Sequence, residues 1–120
     1  MTTTIVPIDT YITPVNSPIP TVVSKNLGSI DNKTMIKGET WNVGGGWTLT
    51  INAIDPKTAS RQVWFTLYKD GSMVDDKVMN MGDTYSYNIS NRYFSTKVDS
   101  ILAGNKTDLV KFKDITYQTD

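Results

Sequence analysis

Twelve side chains carry a carboxyl group in this 120-residue chain, eleven aspartates and the single glutamate Glu39, and they are its main chemical resource. Histidine and cysteine are absent. Their absence removes thiolate nucleophiles, imidazole general bases and the common zinc and iron ligand sets. The chemistry left open to carboxylates is narrow. A glycosidase needs two carboxyl groups facing each other across a cleft, yet Glu39 sits in Lys37-Gly38-Glu39-Thr40, which reads as a turn, and nothing marks a partner for it. Clustered carboxylates can also hold calcium. Asp70, Asp75 and Asp76 are the candidates, but their spacing is not that of an EF-hand. Asp75 and Asp76 are neighbours on a predicted strand, so they face opposite ways. A solvated, edge-protecting acidic pair beside Lys77 is the favoured reading. No catalytic, metal or cofactor site is therefore expected.

Three further groups of residues have recognisable binding chemistry. Gly44-Gly45-Gly46 could cradle a phosphate, but it lacks both the Lys-Ser/Thr of a P-loop and the spacing of a dinucleotide fingerprint. It reads instead as a hairpin or bulge between Val43 and Trp47. Trp41, Trp47 and Trp64 could stack on sugar rings, although tryptophans are more often core anchors. Three sequons can accept N-linked glycan: Asn32-Lys33-Thr34, Asn88-Ile89-Ser90 and Asn105-Lys106-Thr107. Nine asparagines among 26 serines and threonines make such triplets common by chance. Asn32 and Asn105 fall in predicted turns and are the candidate glycosylation sites; Asn88 falls in a predicted strand.

The elements that must position these groups read as β. Trp47 to Ala53 alternates with period two, placing Trp47, Leu49, Ile51 and Ala53 on one face. Arg61 to Lys69 follows, with Val63, Phe65 and Leu67 on one side and Trp64, Thr66 and Tyr68 on the other. Bulk on both faces predicts a central strand. Asp55-Pro56 opens the turn between the two. Asp70-Gly71 supplies two residues tolerant of positive φ, as a two-residue hairpin demands. Met73-Val74 and Val78-Met79 form the return strand. Further strands are expected at Thr84–Ile89, Lys97–Ala103 and Leu109–Tyr117, with a bulge at Asp114. Only Tyr93 to Gly104 could hold a helical turn. The expected fold is an all-β, antiparallel β-sandwich of about seven strands.

Residues 1–21 have a different texture. Pro7, Pro14, Pro18 and Pro20 lie there, and Asp9 is the only charged residue before Lys25. Proline pins the chain extended and blocks ladder hydrogen bonds. This segment is expected to be a linker or an edge segment, and residues 22–120 a single sandwich domain. Net charge is zero, so no cationic field for nucleic acid is present. No run of about 18 apolar residues exists, so this segment is not expected to contact a membrane. Met1-Thr2-Thr3-Thr4 lacks the basic and apolar regions of a signal peptide, and the chain reads as a piece of a longer protein.

The motifs occur in a distinctive order. Lys37-Gly38-Glu39-Thr40-Trp41-Asn42-Val43 precedes Gly46-Trp47-Thr48-Leu49. Ala53-Ile54-Asp55, Val63-Trp64-Phe65-Thr66-Leu67 and Lys69-Asp70-Gly71 come next. Val74-Asp75-Asp76-Lys77-Val78 follows, then Lys97-Val98-Asp99-Ser100-Ile101-Leu102-Ala103-Gly104. From about Val22 to Tyr117 this order resembles the S-layer duplication domain of methanogenic archaeal (Methanosarcina-type) surface-layer proteins, in which a "KxGET" turn leads to "GYSL", "KVWLELSKDG", "VDD" and "VHVDEVFQG" elements. The resemblance implies a structural, non-enzymatic β-sandwich module of an extracellular, cell-surface protein coat. It implies neighbouring domains of the same parent and adjacent surface-layer subunits as partners, with the signal peptide and membrane anchor elsewhere in that parent. In isolation the module is expected to be a monomer or weak dimer. Two rival readings stay open on the same sequence: an adhesion or carbohydrate-binding module, and a small carboxylate hydrolase.

Overall fold

The computed structural model describes residues 26–57 and 60–119. Within them the chain forms eight strands in order: β1 (Leu27–Ile36), β2 (Thr40–Gly44), β3 (Trp47–Asp55), β4 (Gln62–Lys69), β5 (Ser72–Asn80), β6 (Thr84–Ile89), β7 (Arg92–Leu102) and β8 (Leu109–Gln118). They build two four-stranded antiparallel sheets, ordered β1-β8-β7-β6 and β2-β3-β4-β5. The fold is the expected β-sandwich, with one strand more than expected. The proline-rich segment 1–21 lies outside the described residues.

Period-two alternation explains most of the core. Trp47, Leu49 and Ile51 of β3 and Val63, Phe65 and Leu67 of β4 are all fully buried. Met35, Tyr85, Phe94, Val98, Ile101, Val110, Phe112 and Ile115 complete the layer from the facing sheet. β4 is an interior strand of its sheet, as the bulk on both its faces predicts. Two positions depart from simple alternation. The β3–β4 register shifts between Ile51 and Ala53, so Ile54 pairs with Val63 and packs on the core in place of Ala53. At Asp114, with φ of +52°, the β7–β8 register shifts between Ser95 and Lys97, giving the expected bulge.

The turns follow local chemistry. Asp70 (φ +52°) and Gly71 (φ +83°) make the β4–β5 hairpin, where positive φ at both residues matches the twist of the strands. The β2–β3 connection is the glycine triplet. A Cβ on Gly45 would stand 2.8 Å from the carbonyl oxygen of Gln118, so only glycine lets this turn lie against the end of β8. Residues of Tyr93–Gly104, the one place where a helical turn was conceivable, are strand up to Leu102. Their alternation of Phe94, Thr96 and Val98, all buried, is a strand signature.

Phe65 sits where the sheets meet, edge-on to Tyr85 at 5.0 Å and to Phe112 at 5.9 Å between ring centroids. Phe65→Ala is expected to cost about 3–5 kcal/mol in chemical denaturation. A loss below about 1 kcal/mol would show that Phe65 does not help hold the sheets together.

Candidate functional site

The carboxylates are dispersed and used locally. Glu39 closes the β1–β2 turn: its Oε1 accepts the Ile36 amide at 3.1 Å, and its Oε2 lies 3.7 Å from Lys33. Asp75 and Asp76 point to opposite faces of β5, as strand geometry requires. Asp76 accepts hydrogen bonds from Trp64 Nε1 at 2.6 Å and Thr66 Oγ1 at 3.0 Å on the outer face. Asp75 turns inward and accepts the Tyr85 hydroxyl at 2.6 Å. Asp70 lies on the hairpin. Among the described residues no three carboxylates gather to share an ion, and the groove between β5 and β6 is lined by one carboxylate, Asp75.

The three tryptophans cannot form one platform. Trp47 is fully buried. Trp41 pairs with core-facing Leu49 and lies partly buried on the inner side, under the Lys33 ammonium at 5.4 Å. Trp64 lies between inward Val63 and Phe65, so it faces out from the other side of the same sheet.

The glycan acceptors are all exposed. Asn105 occupies the β7–β8 connection, as expected of a turn. Asn32 does not lie in a turn: it sits within β1, paired with Lys113. The sequence there, Asp31-Asn32-Lys33, has turn-like composition, but β8 pairs with it along its length. Asn88 lies in β6.

Two polar contacts were not foreseen, and both sit at the margins of the core. Lys69 is buried on β4, with its ammonium bonded to the Gly45 carbonyl oxygen and 5.0 Å from the Trp47 ring centroid. Trp47 Nε1 in turn donates to the Gln118 carbonyl at 2.9 Å. Together they seal the end of the sandwich where β8 finishes. The pattern Val63-Phe65-Leu67-Lys69 places Lys69 on the core face, a signal hidden by the hairpin motif it begins. The second contact is Asp75 to Tyr85, which ties edge strand β5 of one sheet to edge strand β6 of the other. Burial of the Tyr85 ring, then the Asp75 hydrogen bond and charge, push its hydroxyl well above the ordinary tyrosine pKa.

These contacts hold strands in place. A family model for the S-layer protein matches residues 21–120. The chain belongs to the S-layer protein family. No curated protein matches it. The S-layer family is structural rather than enzymatic. This S-layer module has no helix among its described residues that is long and apolar enough to cross a membrane.

The Tyr85 contact gives a pH test. Below about pH 10 both folded and unfolded chains keep the tyrosine proton, and the contact stabilises fully. Above it the unfolded chain releases a proton that the fold retains, so stability falls as pH rises. Tyr85→Phe is expected to cost about 1–2 kcal/mol at neutral pH, and the gap to the parent should narrow by about pH 11 in urea titrations. A gap that stays constant or widens with pH would contradict this role for Tyr85.

Proposed function

We propose that residues 22–120 form one structural module of an archaeal cell-surface protein, making lateral protein contacts within an S-layer or a closely related coat. The observation that carries this reading is the family match across residues 21–120, on an all-β two-sheet sandwich. Residues 1–21 would link the module to the preceding domain. Its partners would be neighbouring domains of the same parent and adjacent subunits, with the module outside the cell and without cofactor, nucleic acid or membrane contact.

The physical task of such a module is to stay rigid and to offer surfaces. Two sheets enclosing a dry core supply the rigidity. The outer faces and edges supply the surfaces. Asn32 and Asn105 are the proposed glycan acceptors, because both are exposed and both sit in complete sequons. A carbohydrate-binding role draws no support from the tryptophans, because Trp47 is buried, Trp41 packs on the inner side and Trp64 alone stands on the outer face. A hydrolase role draws none from Glu39, which is committed to its turn.

The test is surface labelling of intact cells that make the parent protein. A membrane-impermeant amine reagent is expected to biotinylate lysines of this module without lysis, and mass spectrometry of its peptides reads the result. Labelling only after cells are broken would place the module inside the cell and overturn the proposal.

A further inference from the structure

The two outer faces of the sandwich differ in a way that net charge conceals. On the β2-β3-β4-β5 sheet, outward positions follow from pairing with the buried residues beside them. They include Thr40, Thr48 and Thr50, with Trp64 and Val78 opposite each other, and Asp55 and Asp76. No lysine or arginine lies among the outward positions of these four strands. Trp64 is 43% exposed and Val78 58% exposed. They border a shallow depression with Ala53, Ile54, Asp55 and Gln62. The Trp64 ring is held by its bond to Asp76, which Thr66 shares, and Thr66 is held in turn by Asn52 Nδ2 at 2.7 Å. An exposed tryptophan fixed this way has little side-chain freedom left to lose on binding, and tryptophan is a common binding hot spot.

The β1-β8-β7-β6 sheet carries a different patch at the same end of the molecule. Leu109 pairs with Ile36 on one side and with Leu102 on the other. Their neighbours Met35, Ile101 and Val110 are fully buried, so these three face outward. Ile36 is 40% and Leu102 52% exposed. Lys37 follows Ile36, and Lys111 is the next outward residue of β8 after Leu109. Asp99 pairs with Lys113 farther along, at 3.4 Å, and Asp31 and Asp114 sit at the bulge, away from this strip. Beside the strip, Glu39 is paired with Lys33, and Asp108, directly before Leu109, is the carboxylate that Lys37 and Lys111 outnumber.

We propose that these two patches bind each other between copies: the Trp64–Val78 face of one module seats on the Ile36–Leu109–Leu102 strip of the next. This rests on the surface-layer reading above, which makes a second copy the partner. Charge complementarity supports it, because Asp55 and Asp76 flank the first patch and Lys37 and Lys111 flank the second. The patches differ and lie on opposite faces, so the contact is heterologous and leaves one patch open at each end of a pair. Modules would stack along the sheet normal in an open row. Each patch is only a few side chains wide, well below the roughly 1,200 Å² that stable interfaces bury. Single contacts are therefore weak, and rows form when many modules are held at high local concentration.

The absence of cysteine makes the test clean. Val78→Cys and Leu102→Cys chains, each checked for the β-rich circular dichroism of the parent, are mixed in equal amounts at high concentration and mildly oxidised. The mixed Val78–Leu102 disulfide is expected to exceed either symmetric disulfide several-fold, beyond the twofold that random pairing gives. The double variant should form a ladder of higher oligomers. Adding Lys111→Glu to the Leu102→Cys chain should lower the mixed product, whereas a random ratio or dominant symmetric dimers would overturn the stack. If the unmodified chain still associates in sedimentation while the mixed link stays random, other surfaces mediate assembly, and the surface-layer role survives without this contact. Failure of surface labelling on intact cells would instead remove that role itself.

Discussion

A continuous run of aromatic rings joins the two sheets, and the rest of the molecule depends on it. Trp47 of β3 meets Phe94 of β7 at 5.5 Å and Tyr87 of β6 at 6.0 Å. Phe94 meets Tyr85 at 6.3 Å, Tyr85 meets Phe65 of β4, and Phe65 meets Phe112 of β8. The path crosses between sheets at Trp47 and again at Phe65. Tilted and edge-on ring pairs each contribute about 0.5–1.5 kcal/mol beyond their buried area. No disulfide can supplement them, because the chain has no cysteine. Cohesion between the layers therefore comes from these rings and the aliphatic side chains packed around them.

Polar groups enter the core chiefly at its edges; the exception, Thr96 on β7, donates to the Lys113 carbonyl at 2.9 Å beside the β8 bulge. At one end Lys69, Trp47, Gly45 and Gln118 satisfy one another, which buried polar atoms require. The Thr119 amide and hydroxyl both donate to the Asn26 carbonyl there, so β1 begins and β8 finishes side by side. At the β5–β6 edge, Asp75 accepts from Tyr85. Each contact spends a charge or hydroxyl on holding strands together. What remains for a partner is the outer faces, where Trp64 is fixed and Lys111 is half-buried.

Much of this architecture was legible in sequence because the core strands obey one rule. Trp47-Leu49-Ile51 and Val63-Phe65-Leu67 alternate cleanly, and Asp70-Gly71 and the glycine triplet mark the hairpins. The misses fall where a bulge or a pairing partner changes the rule. Ala53 left the core face because the β3 register shifts just before it. β1 was not distinguished as a strand: Gly28 and Asp31-Asn32 weaken its pattern, and β8 supplies the pairing that local sequence does not. The same pairing moved Asn32 from an expected turn into a strand. The inward roles of Lys69 and Asp75 were missed, Asp75 being read as half of a solvated edge pair, because charged residues are expected outside and only their positions on β4 and β5 say otherwise. Two of the carboxylates singled out in the sequence are engaged locally: Glu39 accepts the Ile36 amide, and Asp76 accepts from Trp64 and Thr66.

This chain is proposed to work through its surfaces, as one repeating piece of a cell coat. The most direct measurement is cryo-electron tomography of envelopes from cells that make the parent protein, with gold-labelled antibody raised against this module. The account predicts label at regular spacings on the outer coat, in register with its lattice. Label that is scattered without order, or absent from the coat while the protein is present in the cell, would contradict it.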